Sequence, residues 1–396
     1  MTIVMIILGI IFTYLAITTL YSFIFSVAGR LGGTKKFPVS ERKGRFAVMI
    51  PAYKEDEVII HSAREAVKQN YPKDKFEVVV IADSLKKGSI ETLRELPLKV
   101  IEVSFDSSTK AKSLNKALSL MEDKYDFALV LDADNIMEPD FLTKLNNVFQ
   151  ASDVVGVQGH RVAKNLNTDF AVLDGISEEV NNHIFRKGHR ILGLSCGIIG
   201  SGMAFRYEYF KNQMKTINAV GGFDKELELK IFRDKQEVEY MEDALVYDEK
   251  VPNSKVFGTQ RRRWISAQFH YFGKYFFPAL SELVTKGNLD FFNKAFQQFL
   301  LPRALLLGVL GLFASISLAM AVMGWVLSPF SEGIVLLLLI QFMAILIAVP
   351  GKFYNKYSYK ALVKLPKAIL IMFITLFKLK GANKKFIHTP HSNSGV

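Results

Sequence analysis

Cysteine is almost missing from the 396 residues: Cys196 stands alone. That excludes an intramolecular disulfide and any cysteine-rich zinc site, and a lone cysteine reads as a small buried apolar residue. Charge is missing just as informatively. Residues 1–29, 304–327 and 333–351 contain no Asp, Glu, Lys or Arg, although 22% of the chain is charged. The segment 352–396 has no acid at all, only lysines, and carries +9. Familiar nucleotide and metal loops are absent too. There is no Gly-x4-Gly-Lys-[Ser/Thr], which disfavours a P-loop nucleotidase. No Gly-x-Gly-x-x-Gly follows a strand, which weakens a dinucleotide reading, and the lack of His-Glu-x-x-His leaves zinc hydrolysis unsupported.

The length suffices for about two to three domains. The net charge of +12 can be located: besides the tail, residues 30–45 contribute +5, from Arg30, Lys35, Lys36, Arg42, Lys43 and Arg45 against Glu41. This basic surplus flanks apolar segments, so it orients a membrane protein. A nucleic-acid binder would spread it over a folded face, and no nucleic-acid partner is expected.

A bilayer core takes about 20 apolar residues in a helix. Ile3–Val27 is such a span; no basic residue precedes it and it is too long for a cleaved signal peptide. Ala304–Leu327 then crosses outward, Ser328–Glu332 is a connector with an acid and no base, and Ile334–Val349 returns. The protein is expected in the plasma membrane as a multi-pass chain, with its middle and tail on the cytoplasmic face. Ala368–Phe377 is too short to span and has lysines at both ends, which suits a helix lying in the interface. Phe269–Leu283 and Phe291–Leu301 read as interfacial as well, or as helices packing on the soluble domain. The expected organisation is a transmembrane helix (1–29), a basic linker (30–45), an α/β domain (46–266), interfacial helices (267–303), two transmembrane helices (304–351) and a basic tail (352–396) with an interfacial helix at 364–380.

In the middle, apolar runs alternate with amphipathic stretches. Strands are expected at Phe46–Ile50, Phe76–Ala82, Val100–Val103, Phe127–Leu131, Val154–Gln158 and Ala244–Tyr247. Helices are expected at Glu55–Gln69, Lys112–Met121 and Pro139–Phe149. Such alternation predicts an α/β fold with a mostly parallel, Rossmann-like sheet, whose ligands bind at the carboxyl ends of the strands. Asp83, Asp132 and Asp134 all follow apolar strands. Two carboxylates in Asp132-Ala133-Asp134 suit a hard divalent cation bridging phosphates. In Gln260-Arg261-Arg262-Arg263-Trp264, arginine can neutralise a diphosphate and Trp offers a flat face to a sugar; the same run also fits a basic patch beside a membrane.

These residues carry a resemblance. Val48-Met49-Ile50-Pro51-Ala52-Tyr53-Lys54-Glu55 resembles the opening strand of family 2 glycosyltransferases, where Pro-Ala-Tyr-Asn-Glu is usual; Lys54 replaces the common Asn. Asp83, Lys110 within Lys110-Ala111-Lys112-Ser113-Leu114-Asn115, Asp132-Ala133-Asp134, Gly200-Ser201-Gly202 and Gln260-x-x-Arg263-Trp264 follow in the family's order. The resemblance covers about 46–270 and extends to the membrane helices of the synthase-like members.

It implies a GT-A fold and inverting hexosyl transfer from a nucleotide-activated sugar, with a uridine diphosphate donor expected. Pro51, Ala52, Tyr53, Glu55 and Asp83 would then hold base and ribose, with Lys110 near the nucleotide. Asp132 and Asp134 would hold the nucleotide and Mg²⁺ or Mn²⁺. Gly200, Ser201, Gly202, Gln260, Arg263 and Trp264 would lie near diphosphate and acceptor.

The departure is at the general base. Members usually show Thr-Glu-Asp between a Gly-Gly-Phe turn and Gln-x-x-Arg-Trp, where this chain has Gly221-Gly222-Phe223-Asp224-Lys225-Glu226-Leu227-Glu228-Leu229. The overlay gives Glu226 the Asp position, with Asp224 and Asp243 as alternatives; Glu242-Asp243 otherwise reads as an acidic turn before the Ala244–Tyr247 strand. The acceptor would be a growing glycan, as for a polysaccharide synthase, or a lipid-linked carrier taking one sugar. Three crossings give little wall for a polymer channel unless the chain forms an oligomer or joins partner subunits of a glycan assembly system. A membrane scaffold that keeps the fold without turnover is the third reading, supported by Lys54 and the atypical base.

Overall fold

The computed structural model describes residues 2–219, 221–325 and 330–379. The tail beyond Leu379, with Lys380, Lys384 and Lys385, lies outside them, as do Leu327 and Ser328 at the expected outer turn.

Eight strands make one sheet: β1 (Phe46–Tyr53), β2 (Phe76–Asp83), β3 (Lys99–Val103), β4 (Phe127–Val130), β5 (Ile136–Met137), β6 (Gly156–Ala163), β7 (Met203–Arg206) and β8 (Val238–Asp248). Their order is β3-β2-β1-β4-β7-β6-β8-β5. β1 to β4 are parallel neighbours and β6 is parallel to β8, while β7 and β5 run antiparallel. The first helices in chain order are α1 (Thr2–Leu31), α2 (Ile59–Ala66), α3 (Lys87–Arg94), α4 (Lys110–Leu120), α5 (Phe141–Ala151), α6 (Asp169–Asn181), α7 (His189–Ile191), α8 (Tyr207–Met214) and α9 (Phe223–Arg233). Then come α10 (Ser254–Lys286), α11 (Leu289–Gln297), α12 (Arg303–Val322), α13 (Phe330–Ala348), α14 (Lys356–Leu362) and α15 (Leu365–Leu376). A π-helix, Asn182–Gly188, continues α6.

β1 is apolar without alternation because both faces are covered. Ala47 and Met49 pack with Leu114, Phe210 and Leu227, whereas Phe46, Val48 and Ile50 pack with Ile59, Ala63 and Leu145. The mostly parallel α/β sheet expected from the sequence is the one observed. Two local expectations change. Helix α2 is shorter than Glu55–Gln69, because Val58 N and Ile59 N both close a turn onto Glu55 O. Glu242-Asp243 is not a turn before a strand: it lies within β8. The β6–β8 register jumps there, from Gly159↔Met241 to His160↔Leu245, leaving residues 242–244 in a bulge. Strand β7, four residues long and antiparallel to both β4 and β6, is one that the sequence reading does not assign.

Helix α10 runs unbroken for 33 residues, so the 266/267 boundary falls inside one helix that carries both Gln260–Trp264 and the aromatic stretch after it. Asn253 caps its start by accepting from Lys255 N and Val256 N, each at 3.1 Å. Phe291 and Ala295 of α11 are wholly buried in the domain core, while Phe277 and Val284 of α10 are 74% and 80% exposed.

Three helices are long and apolar enough to cross a membrane: Ile3–Leu31, Arg303–Val322 and Phe330–Ala348, with mean hydropathy of 2.5, 2.4 and 2.3. α1 and α13 run parallel, since Phe12 meets Phe330 and Ser26 Oγ donates to Ala344 O at 2.6 Å. The lower half of α1 also docks on the α/β domain. Tyr21 Oη donates to Asn293 Oδ1 at 2.9 Å, and His183 Nε2 lies 2.8 Å from Ser26 O. Gly188 is needed at this contact, because a Cβ there would sit 2.3 Å from Phe25 O.

Candidate active site

The carboxyl ends of β1, β2 and β4 form one edge, where parallel strands leave room for a ligand. Tyr53 ends β1 directly opposite Asp83. Lys54, the next residue, has φ 56° and donates its N–H to Asp83 O at 3.1 Å. This left-handed position is one that Asn tolerates best among side-chain-bearing residues, a backbone reason for the Asn common in the resembling sequences. Asp83 itself is fully buried. Its carboxylate accepts from Ser84 Oγ and Ser108 Oγ at 3.0 Å and from Ser113 Oγ at 3.4 Å, so it ties the β2 end to α4. Pro51 and Ala52 lie within β1, and Glu55 begins the turn into α2.

Lys110 opens α4, whose first turn is fixed by Thr109 Oγ1 accepting from Lys112 N. Its ammonium bonds Asp132 Oδ1 and donates to Gly200 O at 2.7 Å. Asp132 N in turn donates to Ser201 Oγ at 2.9 Å. The Gly200–Gly202 loop therefore holds both members of the Lys110–Asp132 pair. Glycine is required at position 202, where φ is +61° and a Cβ would approach Val246 Cγ2 to 2.9 Å.

Asp134 is 3% exposed and accepts from Glu249 N at 3.3 Å. The Asn135 amide, with its nitrogen toward the carboxylates, lies 3.2 Å from both Asp134 oxygens and 3.1 Å from Asp248 Oδ1. Asp248 pairs with Lys250 at 2.7 Å and with Arg161 at 3.7 Å. Burial works to raise the Asp248 carboxyl, but Arg161 and Lys250 hold it below the usual carboxylate value. The two cleft acids thus rest on a buried, charge-compensated base.

Helix α9 starts at Phe223, directly after Gly222, and presents its acids in different directions. A Cβ on Gly200 would lie 3.6 Å from the Asp224 carboxyl, and the Lys110 ammonium sits 5.4 Å above the Phe223 ring. Asp224 therefore stands beside Gly200, the residue whose carbonyl accepts from Lys110. Glu226 faces α10 instead, accepting from Lys274 Nζ at 2.7 Å and Tyr275 Oη at 3.4 Å. Glu228 accepts from Ile198 N at 2.9 Å and pairs with Lys294 at 2.8 Å. Asp243 is exposed in the β8 bulge, its carbonyl accepting from Lys144 Nζ, away from this cluster.

From α10, Arg263 reaches toward the same edge. Burial lowers its guanidinium from the ordinary value, and the Asp132 charge works in the opposite direction. Gln260 lies three residues earlier on the helix, half-buried. Trp264 is half-buried, with one ring face already occupied: the Arg261 guanidinium stacks 4.4 Å from it and pairs with Asp174.

Two carboxylates with oxygen-only donors suit Mg²⁺ or Mn²⁺, and Asp132 already attracts a cationic group, Lys110. Among the described residues, no group of three or more His, Cys, Asp or Glu side chains forms a closed metal site. An ion there would complete its shell with diphosphate oxygens and water.

Sequence reasoning missed Gln158, the strut of the glycine loop. Gln158 is fully buried; its Nε2 donates to Ser201 O and Gly202 O at 3.0 and 3.1 Å, and its Oε1 accepts from Ile199 N at 3.1 Å. Nothing in the sequence marks it. Asp248 was legible in principle, since it ends a strand just as Asp83 does.

Residues 44–267, more than half of the chain, match the family described as Glycosyltransferase like family 2. The beta-monoglucosyldiacylglycerol synthase of Trichormus variabilis is 24% identical over 303 residues, covering 70% of this chain and 63% of that protein. The poly(ribitol-phosphate) beta-N-acetylglucosaminyltransferase TarS of Staphylococcus aureus is 29% identical over 102 residues, 25% of this chain and 18% of its own length. The chain thus spans less than two thirds of the length of these curated relatives. Among solved structures, the mannosyltransferase PcManGT of Pyrobaculum calidifontis, in complex with GDP-Man and Mn²⁺, aligns with a TM-score of 0.52. It is 18% identical, and the match covers 88% of this chain and 99% of that one. The sheet, the ordered motifs at its carboxyl edge and the extent of the family match agree: this chain is a GT-A-fold member of glycosyltransferase-like family 2.

Proposed function

We propose that this protein is an inverting glycosyltransferase that moves one sugar from a nucleotide-sugar donor to a lipid-linked acceptor at the membrane surface. The observation that carries the reading is the convergence of Lys110, Asp132, the Gly200–Gly202 loop and Asp224 at one sheet edge. In this mechanism Tyr53, Glu55 and the β1 and β2 ends cradle the nucleoside. Asp132 and Asp134 would hold Mg²⁺ or Mn²⁺, which supplies positive charge to the diphosphate when bound. Lys110 and Arg263 neutralise the departing diphosphate, and Asp224 takes the acceptor hydroxyl proton as that oxygen attacks the anomeric carbon.

Transfer of one sugar to a lipid carrier is favoured over polymer extension because only three described helices are apolar enough to span, too few to wall a channel within one subunit. The glycolipid-synthase name of one relative agrees. Membranes containing the protein should transfer label from a UDP- or GDP-linked sugar into organic-extractable lipid. A product that remains aqueous and of high mass would instead identify a polymer synthase, and no incorporation from any nucleotide sugar would leave the scaffold reading.

The catalytic domain is assigned to the cytoplasmic side, where basic residues follow α1. Cys196 is wholly buried, so an introduced cysteine is read against a quiet background. In intact cells, Ser331→Cys should react with an impermeant thiol reagent and Ser40→Cys should not. The reverse pattern would invert this topology.

A further inference from the structure

The geometry points to a gating role for Lys110: it is the resident counter-cation of Asp132, opposing a divalent ion until a diphosphate arrives. This rests on reading Asp132 and Asp134 as the metal carboxylates. The ammonium is bonded to Asp132 Oδ1 and held in place by Gly200 O at 2.7 Å. Its backbone is equally fixed, because Thr109 caps α4 and Ser113 ties that helix to the buried Asp83.

The pair is still reachable, with side-chain exposures of 21% for Lys110 and 34% for Asp132. An ion approaching Asp132 alone meets a like charge on its own ligand, which weakens its binding. A nucleoside diphosphate reverses the sign of that effect. Its negative oxygens can accept from the ammonium and bind the ion together, so the same lysine becomes an attractive partner. The cleft therefore takes the ion with the nucleotide in preference to the ion alone, which keeps Asp132 from being occupied by cations without substrate.

The test measures Mn²⁺ binding to the full-length protein in detergent by electron paramagnetic resonance, with Mn²⁺ alone and with Mn²⁺ plus UDP or GDP. Lys110→Gln can still donate to Gly200 O but has no charge; Lys110→Met removes both, and Lys110→Arg keeps the charge. Lys110→Gln should tighten Mn²⁺ alone by about fivefold, the size of one part-exposed charge pair. It should weaken Mn²⁺ with nucleotide by about tenfold, the loss of a charged hydrogen bond. Lys110→Arg should bind Mn²⁺ alone as the parent does. A merely structural lysine would weaken both measurements, and a lysine that only touches nucleotide would leave Mn²⁺ alone unchanged; either result in both Lys110→Gln and Lys110→Met overturns the proposal. If the parent protein binds Mn²⁺ neither alone nor with UDP or GDP, the metal reading itself fails and this proposal falls with it.

Discussion

Asp224→Asn should lower sugar transfer by about 10² to 10⁴, the usual contribution of a positioned base, while nucleotide-sugar binding survives. The expectation follows from where α9 begins. Phe223 is its first residue, and Asp224 in that first turn lies against Gly200, whose carbonyl holds the lysine bonded to Asp132. Two residues on a helix amount to about 200° of rotation. Glu226 accordingly points to Lys274 and Tyr275 on α10, and Glu226→Gln keeps an acceptor for both donors. Lys274 is about half exposed, so losing that ion pair should cost little, and transfer should stay within about threefold. Both variants belong in one assay, with donor affinity measured separately. A dead Glu226→Gln beside an active Asp224→Asn would return the base to Glu226 and require α9 to turn in the donor complex.

That two-residue ambiguity shows where the sequence stops being informative. Asp132-Ala133-Asp134 was readable because an apolar run must end where its strand leaves the core, and the acids follow at once. The three long apolar helices were readable because each contains an uncharged run of about 20 residues, the length a bilayer core takes. The start of α9 had no comparable mark. Its N-cap is Gly222, in the left-handed region at φ 67° and without a side-chain cap bond, so no Ser, Thr, Asp or Asn announced the first turn. With the start unknown by two residues, Asp224 and Glu226 were equivalent acids on opposite sides of one helix. Gln158 was unreadable for another reason. A glutamine in a strand usually reads as a solvent-facing residue, and only the return of residues 199–202 gives its amide three backbone partners. Asp83 shows the reverse limit. Its position after β2 was plain, but the serines that surround its carboxylate come from a later loop and helix.

Asp134→Ala should abolish turnover, with a loss of Mn²⁺ and nucleotide binding of about a hundredfold or more, since removing a direct ligand costs more than removing a group that only orients one. The side chain is buried and held by Glu249 N and Asn135, so its oxygens are aimed before any ligand binds, and without it Asp132 is the one remaining carboxylate of the proposed pair of ion ligands. Asp134→Asn separates this role from a structural one. The amide oxygen can still accept from Glu249 N, so the fold should melt near the parent temperature, yet a neutral oxygen is a poor ligand for a hard cation. Loss of turnover in both variants, with an unchanged melt for Asp134→Asn, assigns the defect to the ion. The opposite outcome is equally plain: if Asp134→Ala turns over at the parent rate in EDTA, neither aspartate holds a metal, and the diphosphate must be neutralised by Lys110 and Arg263 alone.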